Sequence, residues 1–87
     1  MAKSDILNIL AEFQPEVQHK FHAEIKGIFG SYVRGEQSRK SDLDILVDFG
    51  PEADFLEEKM DCPVDLVPIR SIRKELKDKI LAEAVYL

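Results

Sequence analysis

Apolar side chains at Ile6, Leu10, Phe13, Val17 and Phe21 recur at three- and four-residue steps, the repeat of a helix with one buried face. Ser4 stands where a hydroxyl can cap its first turn. Pro15 interrupts the pattern; with no N–H and a ring that clashes with the preceding turn, it predicts a kink or break near Gln14. Residues 24–30 read as a short strand that Gly30-Ser31 ends, and residues 31–37 as a short helical turn weakened by Gly35. Leu43, Ile45, Val47 and Phe49 then fall in strict alternation, which predicts a strand with one buried face. Gly50-Pro51 stops it, residues 54–60 allow about two helical turns, and Val64-Asp65-Leu66-Val67 forms a third, short strand. In the tail, residues 71–87, Ile72, Leu76, Ile80 and Ala84 recur at four-residue steps, with Leu81 and Val85 widening the stripe into a closing helix. Helices alternating with three strands predict an α/β fold, a small sheet with helices packed on one side.

Composition narrows the class. Eighty-seven residues support one hydrophobic core and not two, so a single domain over residues 1–87 is expected. A hydrophobic share of 45% beside 33% charged residues is that of an ordinary globular chain. The lone Cys62 cannot form an intramolecular disulfide, and no stretch approaches a membrane span, so a cytoplasmic location without membrane association is expected. A net charge of -5 repels a phosphate backbone, which argues against general nucleic-acid binding. The same acidity suits carboxylates that hold divalent cations.

Three places carry candidate chemistry. Asp42 and Asp44 open the strongest strand with one residue between them, so their side chains leave one face with backbones ~7 Å apart. Carboxylates so placed can converge on magnesium, which takes hard oxygen ligands; a turn at Ser41-Asp42 followed by a solvated Asp44 is equally consistent with the spacing. Asp65 interrupts an otherwise apolar strand, where a buried charge needs a partner or a metal, although an outward-facing edge position also accounts for it. Gly30-Ser31 joins a strand to a helical turn, where free N–H groups and a hydroxyl suit a phosphate, while Ser31 as a plain helix cap is the simpler alternative.

Together these residues form one run: Gly30-Ser31, ten intervening residues that include Arg34-Gly35 and end in Ser41, then Asp42-Leu43-Asp44. The run resembles the nucleotidyltransferase signature of the DNA polymerase beta-like superfamily, and Val64-Asp65-Leu66-Val67 is similar to that superfamily's third carboxylate strand. The tail resembles the last helix of the minimal nucleotidyltransferases, so the likeness spans residues 25–87. It implies a small nucleotidyltransferase fold, a three-stranded mixed sheet with helices packed on one side. It also implies Asp42, Asp44 and Asp65 as catalytic residues and ligands of two Mg2+ ions, with Gly30, Ser31 and Arg34 binding the phosphates of ATP or another nucleoside triphosphate. Arg34 in an ion pair with Glu36 or another acidic neighbour weighs equally.

In the minimal members of this family the implied partner is a helical HEPN-type toxin, and the implied reaction is transfer of AMP from ATP to a toxin tyrosine by the antitoxin. A binding-only antitoxin and a small-molecule transferase of the aminoglycoside type are the alternatives. Only residues 50–63 separate the second and third strands, shorter than the family pattern, which predicts a truncated helix there and a possible homodimer to cover the apolar surface it leaves. His19 and His22 read as surface residues, Cys62 as a small packed one, and Arg70, Arg73, Lys74, Lys77 and Lys79 as a solvated basic face. Asp48 shares the face of Asp44 but lies too far along the strand to join the same metal centre.

Overall fold

A computed structural model of the chain describes residues 3–36, 41–49, 53–60 and 62–87. The first helix, α1 (Lys3–Phe21), buries Ile6, Leu10 and Val17. Ser4 therefore lies inside its first turn. Pro15 also lies inside it, and the expected break near Gln14 does not occur. The carbonyl deprived of a donor is that of Ala11, on the exposed side where water can serve it. The Gln14 side chain is anchored instead: its Nε2 donates to the Ile25 carbonyl at 2.6 Å and its Oε1 accepts from the Ile25 N–H at 2.9 Å. These two bonds dock α1 on β1 (Glu24–Phe29).

The remaining elements are α2 (Ser31–Arg34), β2 (Leu43–Asp48), α3 (Ala53–Met60), β3 (Val64–Pro68), a 3-10 turn at Ile69–Ser71, α4 (Lys74–Glu83) and β4 (Val85–Tyr86). The sheet is mixed and four-stranded, in the order β3-β2-β1-β4, rather than three-stranded. β1 runs antiparallel to both β2 and β4, and β3 runs parallel to β2.

One face of the sheet carries the core. Ile25 and Ile28 of β1, Leu43, Ile45 and Val47 of β2 and Val64 of β3 form one buried cluster with the α1 residues and with Leu56 and Met60 of α3. The alternation of β2 thus has the expected cause, but it stops one residue early. Phe49 turns into the left-handed region at φ 62 and is 54% exposed, its ring 4.3 Å from the Arg70 guanidinium, instead of extending the buried row.

The closing helix also differs from the expected span. Its regular part begins at Lys74, Leu76 is 51% exposed, and Ala84 adopts an extended ψ of 144 so that the chain leaves the helix as β4. Gly27, opposite Tyr86, makes that strand possible: a Cβ there would collide with the Val85 carbonyl. Among the described residues no helix is long and apolar enough to cross a membrane.

Candidate active site

The second face of the sheet carries the candidate carboxylates Asp44 and Asp65. Because side chains alternate along a strand, Asp44 and Asp48 point away from the core row of β2. The parallel register pairs Asp44 with Asp65, and the antiparallel register pairs Asp44 with Phe29, the last residue of β1. Asp44 and Asp65 are therefore lateral neighbours on one face, and Gly30 follows directly on the strand that flanks them. Asp42 stands just before β2 and is exposed, as is Asp65, while Asp44 is half-buried.

The Asp44 carboxyl is pushed up to about 6, first by burial and then by the negative charges of Asp65 and Asp42, with Arg34 opposing the rise. The three carboxylates thus share one electrostatic field. Hard oxygen donors under mutual repulsion fit a divalent cation, whose charge would relieve it. Among the described residues no three His, Cys, Asp or Glu side chains are already drawn together around a metal position.

Gly30 is fitted to this site. Its φ of 81 and ψ of -150 lie where only glycine is at ease, and a Cβ on it would run into Oδ2 of Asp44. Its carbonyl accepts from the N–H groups of Val33 and Arg34 at 3.0 and 3.1 Å, so α2 starts directly from the turn with Ser31, half-buried, as its first residue. Tyr32 contributes a partly buried ring packed on the core, and burial, Cys62 and Asp42 push its hydroxyl up. Gly35 closes α2 in the left-handed conformation at φ 74.

Arg34 is in ion pairs. Its Nη1 donates to Glu83 Oε1 at 2.6 Å and its Nε to Glu36 Oε2 at 2.9 Å, and both bonds raise its pKa further. Glu83, which belongs to no motif of the sequence, also accepts the Gly30 N–H at 3.2 Å through Oε2, and its bond to Arg34 holds its carboxyl below the usual range. No local spacing could have revealed it, since 53 residues separate it from Gly30. Residues 37–40 of the signature run, and Gly50-Pro51 with Glu52 beyond β2, lie outside the described residues.

Other candidates stay apart. Asp48 sits at the far end of β2, with Oδ1 3.3 Å from Arg70 Nε, an ion pair whose angles do not make a hydrogen bond. Arg70 therefore belongs to this pair and to the Phe49 ring, not to a free basic face on the last helix. A cleft of about 380 Å³ opens at the same end, lined by Gln18, His22, Glu24, Asp48 and Phe49, and includes none of the signature residues. Cys62 is in no disulfide among the described residues and packs at the edge of the core, near the Tyr32 hydroxyl.

The sequence and the fold are similar to those of known proteins. The profile of the family described as nucleotidyltransferase domain matches residues 6–87. The protein adenylyltransferase MntA of Thermococcus cleftensis is 37% identical over 95% of this chain and 93% of its own. A solved structure of a candidate minimal nucleotidyltransferase superimposes with a TM-score of 0.77 and 28% identity, covering 100% of this chain and 97% of the other. A toxin-antitoxin crystallised with AMP-PNP matches with a TM-score of 0.65 and 26% identity, over 99% of this chain and 72% of that one.

Proposed function

The chain belongs to the nucleotidyltransferase domain family, and from that premise we propose that it transfers AMP from ATP to a hydroxyl group of a partner toxin, a tyrosine of a HEPN-type protein, and acts as its antitoxin. The observation that carries the reading is the register that sets Asp44 beside Asp65 while Gly30 packs against the Asp44 carboxylate. Carboxylates for cations and a glycine turn for phosphates thus lie side by side. That the relatives include a protein adenylyltransferase and a toxin-antitoxin bound to an ATP analogue supports the choice of nucleotide and partner.

In this mechanism the acceptor oxygen attacks the α-phosphorus of ATP, the bond to the β-phosphate oxygen breaks, and pyrophosphate leaves. Asp42, Asp44 and Asp65 would hold two Mg2+ ions, which when bound would supply Lewis-acid stabilisation of the charge that develops at the transferring phosphate. Asp65, exposed on β3, receives the acceptor's proton. Gly30 lets the backbone come close to the phosphates, and the Ser31 hydroxyl donates to a phosphoryl oxygen.

The test is incubation with α-labelled ATP and magnesium, with and without the protein encoded beside it, comparing the native chain with the double variant Asp42→Asn, Asp44→Asn. The expected result is label on the partner with the native chain alone. A partner inhibited equally by both forms, with no label, would replace the enzyme by a binding-only antitoxin.

A further inference from the structure

The tail of the chain is joined to the glycine turn by one side chain. Glu83 is the last residue of α4, and its place is fixed from both sides. On the helix side the Ala84 N–H donates to the Ile80 carbonyl at 2.9 Å, and on the strand side β4 pairs with β1 through Tyr86–Gly27 and Val85–Ile28. The Leu87 N–H adds a bond to the Lys26 carbonyl at 3.0 Å, and the Tyr86 hydroxyl donates to the Leu81 carbonyl at 2.7 Å. Held in this frame, the Glu83 carboxylate uses Oε2 for the Gly30 N–H and Oε1 for Arg34, and only 25% of its side chain is exposed.

We infer that Glu83 is a positioning residue for the nucleotide-binding turn, fixing Gly30 against Asp44 and setting the point from which Ser31 meets the phosphates. This rests on the nucleotidyltransferase reading above. Gly30 has contacts on two sides: Asp44 Oδ2 lies against its Cα, and Glu83 holds its N–H. A glycine at φ 81 has no Cβ to restrict it, so its conformation must be imposed by its neighbours, and Glu83 supplies a charge-assisted bond for that purpose. Arg34 is committed by the same carboxylate. With Nη1 on Glu83 and Nε on Glu36 it bridges the turn to the tail, and the Gly30 N–H is likewise occupied by protein. Ser31 follows directly on Gly30, so the position of its hydroxyl depends on how that glycine is held.

The opposite role is also chemically coherent. A carboxylate on the Gly30 N–H and the Arg34 guanidinium imitates a phosphate, and a triphosphate that displaced it would be competing with Glu83. The two roles differ in sign. Removing a positioning residue weakens ATP binding, whereas removing a competitor strengthens it. Loss of negative charge alone would also strengthen binding, and equally in Glu83→Gln and Glu83→Ala.

The experiment is titration calorimetry of ATP in magnesium on the full chain, native against Glu83→Ala, Glu83→Gln and the control Tyr86→Phe. The control loses a bond of the same tail without touching the turn. Binding of Mn2+ alone is measured on the same proteins, as is the exchange rate of the Gly30 amide proton.

The expected result is an ATP affinity about tenfold lower in Glu83→Ala and about threefold lower in Glu83→Gln, the size of one hydrogen bond to a charged group. Glu83→Gln keeps one acceptor for the Gly30 N–H and should recover part of the loss. Mn2+ affinity should stay within about twofold, since the aspartates are untouched, and Gly30 exchange should accelerate in Glu83→Ala alone. ATP binding that is unchanged or tighter in Glu83→Ala overturns the inference, as does an equal loss in Tyr86→Phe. A native chain that binds no ATP overturns the nucleotidyltransferase reading itself, and this inference with it.

Discussion

Asp44 should weaken the metal-free protein that contains it. Its carboxyl is raised from 3.8 to about 6 by burial and by Asp65 and Asp42, so the folded chain binds the proton more tightly than the unfolded chain. Native stability must then fall as pH rises from about 4 to about 6, and above that the full penalty persists. A rise of this size corresponds to about 3 kcal/mol, at about 1.4 kcal/mol for each tenfold change in proton affinity. Because the group is only half-buried, solvent screening reduces this to about 1 kcal/mol.

Asp44→Asn removes the charge while keeping the shape, and it should therefore stabilise the chain. For a domain of this size about 1 kcal/mol is a Tm increase of about 6 °C. The assay is thermal unfolding by circular dichroism in EDTA at several pH values. The variant should melt higher than native near pH 7.5, with the gap closing by about pH 3.5, where native Asp44 is protonated in both states. A variant equal to or less stable than native at neutral pH, or a gap that does not depend on pH, would refute the crowding of charge argued for this site.

Two glycine substitutions test the geometry directly. Gly30→Ala forces a Cβ onto Asp44 Oδ2 at a backbone conformation that L residues avoid, and should destabilise the chain by about 3 kcal/mol in urea unfolding while abolishing ATP binding. Gly27→Ala meets the Val85 carbonyl and should release β4 at a cost of about 2 kcal/mol, seen as faster exchange of the Leu87 amide, with the three aspartates in place.

The legible parts of the fold were those with a local cause. The alternation of Leu43, Ile45 and Val47 and the helical repeat of Ile6, Leu10 and Val17 each reflect one buried face, so period alone located them. The Gly30-Ser31 to Asp42-Leu43-Asp44 run was legible because its chemistry lies on two adjacent strands and the turn that ends one of them. Pro15 does not break α1, because the carbonyl it leaves without a donor falls on the wet side of the helix, where water can serve it. Phe49 misled because a period-two pattern cannot register a backbone that turns to positive φ after Asp48.

The tail shows why the rest could not be read. Four-residue steps from Ile72 to Ala84 look like one amphipathic stripe, but the stripe is broken at both ends. Ile72 has an extended ψ of 131 ahead of the helix, and Val85 is drawn off it by the open edge of β1. That edge accepts a strand only because Gly27 has no side chain, a fact recorded far from the tail in sequence. The same long-range closure brings Glu83 to Gly30 and Arg34. Asp42 and Asp44 are written in a short motif, whereas the residue that fixes the glycine turn is specified by how the last strand finds the first. Substitutions that release β4 from β1, as Gly27→Ala should, are therefore expected to reach the nucleotide turn through Glu83 without touching any residue of the signature, whereas loss of the Tyr86 hydroxyl alone, which leaves the strand pairing in place, should not.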